Sequence, residues 1–160
     1  AFEGNRICGI SVGARDRYNL IERCTLASNE GPGLLFRETE EPVAMHDCRV
    51  IACKIAENAR SSGYGQVDVL GDAHDLELVR NEIRGTGDSK PGVWVAPSAR
   101  RIRLAENHIA RCDPEVDAVA ASLAPEPLTL TCGADDVRPY HVRHLPPPAN
   151  APWTGSNVPD

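Results

Sequence analysis

The sequence is poor in aromatic residues. Two Trp, three Tyr and two Phe make up 4% of its 160 residues, and Met occurs once. The core must therefore be built from aliphatic side chains, which suits a narrow interior of stacked Val, Ile and Leu. No apolar run approaches the ~18 residues of a membrane-spanning helix, and no segment before residue 110 keeps a helical period. We therefore expect no helical solenoid and no membrane partner.

Charge of one sign is not concentrated anywhere in the chain. The 17 basic and 23 acidic residues give a formal net charge of −6, and the two signs are interspersed. A nucleic-acid-binding protein would instead display a basic face, so we expect no nucleic acid as a partner. The first twelve residues have neither the basic leader nor the apolar stretch of a signal peptide. Because the chain opens inside a repeat unit, we expect a C-terminal fragment of a longer protein.

Cysteine is present, but not in a pattern typical of a metal site. The six cysteines include no CxxC pair, and the chain is too long and too poor in Cys for a disulfide framework. His141 and His144 stand three residues apart without an evident third ligand. We therefore expect neither a metal nor another cofactor.

What the sequence does have is an internal repeat. Residues 76–83 (LELVRNEI) and 102–109 (IRLAENHI) match at every apolar position and at the asparagine. Residues 19–26 and 48–55 have the same form with Cys in place of Asn, and residues 5–7 preserve the end of a fifth copy. A shorter apolar–polar–apolar strand, mostly opened by Gly, recurs between the copies at 9–12, 33–36, 66–69, 92–95 and 118–121.

Each unit of the repeat thus consists of strand, turn, strand and loop. Alternation with period two indicates β structure, and units this small bury their apolar faces only by stacking with like strands in parallel. The pattern resembles the right-handed parallel β-helix repeat of the pectate-lyase-like superfamily, and the resemblance and the crossover rule imply the right-handed sense. We predict an all-β fold. It is a right-handed parallel β-helix of about five rungs over residues 1–123, followed over 124–160 by a cap and an extended Pro-rich tail.

The repeat assigns residues to columns that run along the stack. One corner column is predicted to form an amide ladder in which two cysteines serve as small buried apolar groups, although a metal or redox role for these two is an alternative. This column consists of Asn5, Cys24, Cys53, Asn81 and Asn107. Aliphatic columns fill the interior: Ile7, Leu26, Ile55, Ile83 and Ile109; Ile21, Val50, Leu78 and Leu104; and Val12, Phe36, Val69 and Val95.

Two outward columns alternate in charge. The first contains Arg49, Glu77 and Arg103, and the second contains Lys54, Glu82 and His108. Because unlike charges on adjacent strands avoid repulsion, these columns favour a solvated face, and a functional basic patch is the alternative.

A third outward column holds the candidate site and consists of Ser11, Leu35, Asp68, Trp94 and Ala120. An exposed Trp94 can stack on a sugar ring, and Asp68 can bond hydroxyl groups or act as a catalytic acid or base, with His74 as its catalytic partner. The alternative is that a loop or the C-terminal tail covers Trp94. Bordering loops add three substrate-binding candidates and two nearby side chains, although the acidic residues and His74 of 71–75 also suit a tight turn. These five are Arg37, Glu38 and Asp72, followed by His46 and Asp75.

The resemblance implies lyases, hydrolases or epimerases that act on acidic polysaccharides along one sheet, which is an argument from fold alone. The chain has no Gly-His-Gly segment, and Asp135 and Asp136 lie beyond the repeats, so whether it is an enzyme stays open. We expect a β-helix that binds or processes a polysaccharide along one exposed sheet. The alternative is a non-catalytic scaffold fragment, which either contacts another protein or the missing N-terminal rungs or has a purely structural role. An extracellular or cell-surface location follows only from the analogy.

Overall fold

The protein, in a computed structural model, is a parallel β-solenoid of about four turns. The structure describes residues 1–86 and 90–110 with their side chains, and the backbone of three strands at 118–122, 128–131 and 141–145. Strands of successive turns pair in parallel and build three sheets, A, B and C. Each full turn contributes one strand to sheet B, then one to sheet C and one to sheet A. The predicted all-β parallel solenoid is confirmed, while its right-handed sense and superfamily stay predictions.

The three sheets contain five, six and five strands. Sheet A consists of β1 (Phe2–Glu3), β4 (Thr25–Ala27), β7 (Lys54–Ala56), β10 (Glu82–Arg84) and β13 (His108–Ala110). Sheet B consists of β2 (Ile10–Val12), β5 (Leu34–Phe36), β8 (Val67–Val69), β11 (Val93–Val95), β14 (Ala118–Ser122) and β16 (His141–Leu145). Sheet C consists of β3 (Leu20–Glu22), β6 (His46–Ile51), β9 (His74–Val79), β12 (Arg100–Ala105) and β15 (Leu128–Thr131).

Two strands, β15 and β16, lie beyond residue 123, in the range predicted as a cap. They extend sheets C and B by pairing with β12 and β14. The predicted Pro-rich tail over 146–160 lies outside the described residues.

The interior is aliphatic and continuous along the stack. In-register pairing places Ile55 beside Ile83 and Val50 beside Leu78, and these side chains are fully buried. Alternation along each strand sends every second side chain inward, which is why the aliphatic columns follow the repeat. They form one cluster of buried apolar residues.

The corner between sheets C and A carries the predicted amide ladder. Asn107 Oδ1 accepts hydrogen bonds from the backbone N and the Nδ2 of Asn81, both at 2.9 Å. Asn81 Oδ1 accepts in turn from the backbone N of Cys53 at 2.9 Å. Cys53 Sγ continues the column by accepting from the backbone N of Cys24 at 3.5 Å. Cys53 is buried as predicted, whereas Cys24, on the outermost turn, is only partly buried.

The assignment of Asn5 and Ile7 to these columns is wrong. Asn5 donates from its backbone N and its Nδ2 to Asn29 Oδ1, both at 2.9 Å, and Asn29 makes the same two bonds to Asn58 Oδ1 at 3.1 and 2.7 Å. This second ladder follows sheet A. Phe2 pairs with Leu26 and so occupies the position that was predicted for Ile7. Asn5 therefore belongs to the second ladder, because it follows Phe2 by three residues just as Asn29 follows Leu26.

Candidate functional site

The predicted site on the outer face of sheet B is covered. The register is as predicted, with Trp94 beside Asp68 and Asp68 beside Leu35. However, Trp94 is only 5% exposed, and Asp68 is fully buried. The Tyr64 ring lies 5.1 Å from the Trp94 ring, centroid to centroid, and Trp94, Leu35 and Leu70 form a second apolar cluster. A loop therefore covers Trp94, which was the alternative to an open face.

Asp68 holds this covering loop. Its carboxylate accepts hydrogen bonds from the backbone N of Tyr64 at 2.9 Å and of Gly65 at 2.7 Å. Burial raises the pKa of Asp68 to about 7, against the lowering effect of the two backbone hydrogen bonds and of the Lys90 charge. The geometry gives Asp68 a structural task.

His74 belongs to a different group of side chains from Asp68. Its Nδ1 lies 2.7 Å from Asp75 Oδ2, and its Nε2 lies 3.3 Å from Glu41 Oε1. In the part of the chain described with side chains, no hydrogen bond or ion pair joins His74 to Asp68. The structure thus does not bring together the proposed catalytic pair.

Among the residues described with side chains, no hydrogen bond or ion pair joins the side chains of the bordering candidates to one another. Arg37 and Glu38 are exposed, and the Arg37 guanidinium lies against Gly13. Asp72 Oδ2 accepts a hydrogen bond from the backbone N of Glu41 at 3.1 Å, so Asp72 positions the loop that carries Glu41. Gly71 lets this loop approach closely, because a Cβ there would lie 2.5 Å from backbone atoms of Thr39.

The second residue of each of the strands β6, β9 and β12 departs from regular β geometry. Asp47, Asp75 and Arg101 have positive φ angles of 53°, 54° and 53°, and Tyr18 has 57° at the same level of the preceding turn. In a regular strand, adjacent residues point to opposite faces. The left-handed residue breaks this alternation, and each His of β6 and β9 contacts the Asp that follows it.

Two His–Asp pairs result, one on each of two successive turns. His46 Nδ1 lies 2.7 Å from Asp47 Oδ2, as His74 Nδ1 does from Asp75 Oδ2. The two imidazole rings stack at 5.0 Å with an interplanar angle of 1°. Tyr18 contacts the His46 ring edge-on at 6.1 Å.

Positive side chains surround the second pair. Arg101 donates to both oxygens of Asp75, from Nε at 2.6 Å and from Nη2 at 2.5 Å. These hydrogen bonds hold the pKa of Asp75 well below its usual range, with smaller contributions from His74 and against partial desolvation. Arg100 pairs with Glu41. The second pair is therefore already satisfied by protein groups.

An open groove of about 560 Å³ runs along the outer face of sheet C beside these pairs. The predicted register of Arg49, Glu77 and Arg103 is confirmed, and Glu77 lies 2.9 Å from Arg49 Nε and 3.6 Å from Arg103 Nη1. The groove is lined by Tyr18, Asp47, Arg49, Asp75, Leu76, Glu77, Arg101 and Arg103.

The sequence contains one signal for this site that none of the predictions above uses. The dipeptide His-Asp occurs at 46–47 and again at 74–75, in register on neighbouring turns. The sequence-based prediction places His46 and Asp75 at the border of the Trp94 face and makes His74 the catalytic partner of Asp68, without pairing either His with the Asp that follows it. Tyr18 was not considered, because it precedes the matched part of its repeat copy.

Comparison of the chain with protein-family models, with curated proteins and with solved structures finds no match. Within residues 1–86 and 90–110, no group of three His, Cys, Asp or Glu side chains is placed to hold a metal ion. The side chains of His141 and His144 lie outside the described residues. In the described part of the chain, no helix could span a membrane.

Proposed function

We propose that this β-solenoid binds a polysaccharide along the groove on the outer face of sheet C. The observation that carries the proposal is the composition of the groove, which combines an open aromatic ring with rows of carboxylates and guanidinium groups. Tyr18 is 72% exposed, and an aromatic face in water suits stacking against the apolar face of a sugar ring. The resemblance of the repeat to pectate-lyase-like β-helices supports a polysaccharide as the ligand, although the acidic polysaccharides that it implies differ in charge from the ligand that the groove favours.

The charges of the groove favour a ligand rich in hydroxyl groups and without a large net charge. Three carboxylates and three arginines line it, and most of them already form ion pairs with one another. Paired carboxylates and guanidinium groups keep free acceptor and donor positions, which sugar hydroxyls can use. A strongly anionic chain would have to compete with Asp75 and Glu77 for the arginines.

The repeat itself suits a polymer that lies along the solenoid axis. Like positions on successive turns are about 4.8 Å apart, so the groove presents polar and charged side chains at a regular interval. A chain of sugar rings could then contact successive turns through successive units.

The test is calorimetric titration with neutral hexaoses of glucose, xylose, mannose and N-acetylglucosamine, and with a galacturonate hexaose for comparison. Tyr18→Ala should weaken binding of the preferred neutral hexaose at least about tenfold, or about 1.4 kcal/mol. Phe2→Ala, which removes an exposed ring from the edge strand of sheet A, is the matched control and should bind normally. Equal affinities for the wild type and Tyr18→Ala, or no binding of any hexaose, would refute the proposal. Chromatography of the incubated hexaose then distinguishes binding from cleavage.

A second candidate is a protein-interaction scaffold. Among the described residues, the exposed large hydrophobic side chains all lie in the first turn: Phe2, Ile7, Tyr18 and Leu20. Strands β1, β2 and β3 are also edge strands, whose open backbone groups can pair with another chain. Light scattering would support this candidate if the protein associates and Leu20→Asp prevents it, with no hexaose bound.

A further inference from the structure

Cys24 and Cys53 lie side by side on the first two turns. Glu22 pairs with Ile51 just before them, and the strands that follow pair with the same offset, so Cys24 and Cys53 are in register. Like positions on neighbouring strands are about 4.8 Å apart. A disulfide joins residues whose Cα atoms are roughly 4.4–6.8 Å apart, so the backbone holds these two cysteines at a separation that a disulfide spans.

The thiol of Cys53 is directed toward the first turn. Its Sγ accepts a hydrogen bond from the backbone N of Cys24 at 3.5 Å and lies 3.5 Å from the carbonyl oxygen of Ile21. Burial is the largest cause that raises the pKa of Cys53, and the adjacent thiol of Cys24 raises it further, against two backbone hydrogen bonds. The two thiols therefore interact across the boundary between the turns.

The two cysteines differ in how easily an oxidant reaches them. Cys24 is partly exposed, whereas Cys53 is buried. Cys24 directly follows the region of β3, which is an edge strand of sheet C. An oxidant in solution therefore reaches Cys24 first, and the position at the edge leaves the chain free to adjust to a new bond.

The other two cysteines of the described residues have different surroundings. Cys48 has Leu76 as its in-register neighbour on the next turn, and Asn19 Nδ2 of the preceding turn lies 3.7 Å from its Sγ. Cys8 packs against the second apolar cluster, on sheet B. In the part of the chain described with side chains, no other two cysteines are in register on neighbouring turns.

We propose that a hydroperoxide converts Cys24 and Cys53 into a disulfide that joins the first turn to the second. The Cys24 thiolate attacks one peroxide oxygen, which forms an S–O bond, breaks the O–O bond and yields a sulfenic acid. The Cys53 thiolate then attacks the Cys24 sulfur, so that the S–S bond forms and the S–O bond breaks. The two thiols lose two electrons and two protons in total, and both oxygens of hydrogen peroxide leave as water.

The disulfide acts on the turn that has a neighbour on one side only. The first turn carries the exposed side chains of Tyr18 and Leu20, and its strands are the edge strands of all three sheets. A covalent bond to the second turn limits the freedom of this turn to separate from the stack. Oxidation thus fixes the turn that carries Tyr18, and it does so whether or not the sheet C groove binds a glycan.

Peptide mapping of the wild type tests the proposal. Native protein is treated with hydrogen peroxide and is then unfolded, alkylated and digested with trypsin without reduction. Cleavage after arginine and lysine leaves the four described cysteines on four different peptides: Cys8, Cys24, Cys48 and Cys53. Mass spectrometry should find the peptides of Cys24 and Cys53 joined with the loss of two hydrogen atoms, and a dithiol reductant should restore both thiols. Cys48→Ser is the matched control and should form the same bond, whereas Cys53→Ser should form none.

The mapping needs no variant, so it decides even where a substitution prevents folding. If peroxide takes Cys24 to a sulfinic acid without a crosslink, or leaves both thiols reduced, the two sulfur atoms do not meet and the proposal is wrong. A bond from Cys24 to any other cysteine would also contradict it. Protein unfolded in urea before oxidation should show no preference for the pair, and an equal preference there would mean that the fold does not select it.

Discussion

Replacement of Asp68 by Asn should change how the stability of the protein depends on pH. Asp68 is fully buried beneath the loop that contains Tyr64 and Gly65, and burial raises its pKa to about 7 from an ordinary value of 3.8. The folded protein therefore keeps this proton to a higher pH than the unfolded chain does. Linkage then requires that the stabilising contribution is complete below about pH 4 and is lost as the pH rises through about 7.

The size of the effect follows from the two pKa values. A pKa higher by about three corresponds to about 4 kcal/mol in total, at 1.36 kcal/mol for each pKa unit. Between about pH 5 and pH 8.5 the wild type should lose about 3 kcal/mol of this contribution. Asp68→Asn does not titrate and lacks this loss. Below about pH 5 it should be less stable than the wild type by about 1–3 kcal/mol, because an amide NH₂ cannot accept one of the two backbone hydrogen bonds.

Urea unfolding at a series of pH values measures both quantities. Trp94 reports on the covering loop through Tyr64, and a Trp153→Phe background makes it the sole Trp of the chain. Glu57→Gln, which removes an exposed carboxylate, controls for the loss of one charge. If wild type and Asp68→Asn lose stability in parallel from pH 5 to pH 8.5, Asp68 does not hold its proton in the folded state and the explanation fails.

Two further predictions concern the corner ladder. Asn81→Leu should destabilise the protein by about 1–3 kcal/mol in urea unfolding, because it leaves the backbone N of Cys53 without its acceptor, and an unchanged midpoint would contradict the ladder. In a variant with Cys112 and Cys132 changed to Ser, a thiol reagent should label Cys48 and Cys53 only after unfolding, since both are buried, and should label Cys24 and Cys8 faster, since both are partly exposed. Rapid native labelling of Cys53 would show that its column is not closed.

The columns could be predicted from the sequence because each depends on local alternation and on a repeat with several copies. The register of Leu35, Asp68 and Trp94 was obtained in this way and is confirmed. The first turn could not be placed as reliably. In both ladders an Asn lies near an inward apolar residue. The partial first copy lacks the second strand that would show to which of the two ladders its Asn belongs. Asn5 was therefore assigned to the wrong corner.

The loop that covers Trp94 could be predicted only as an alternative, because its position depends on contacts that the repeat does not specify. Tyr64 reaches Trp94 from the loop between β7 and β8, and this loop is held by one buried carboxylate. The groove on sheet C was missed for a related reason. Period-two alternation places His46 and Asp47 on opposite faces, and only the left-handed residue brings them together.

Residues with a positive φ angle also occur at positions that belong to no candidate site. Comparing these positions with those of sheet C distinguishes a conformation that the turn alone requires from one that also positions side chains. Arg23, Ala52, Arg80 and Glu106 have positive φ angles at the corner between sheets C and A. Ala52 shows that the corner conformation needs no side-chain contact, so the turn alone requires it. Conformations of this kind cost about 1 kcal/mol or more for residues other than Gly.

The left-handed positions of sheet C differ from the corner in what their side chains do. Asp47 bonds His46, and Asp75 bonds both His74 and Arg101. Each of these side chains therefore contributes to one connected surface beside the groove, whereas the corner side chains serve no common contact. If the repeated positive φ served only the turn, there would be no need for a His-Asp dipeptide in register on two successive turns. Its recurrence next to an open groove is the reason why the proposed binding site is placed on sheet C.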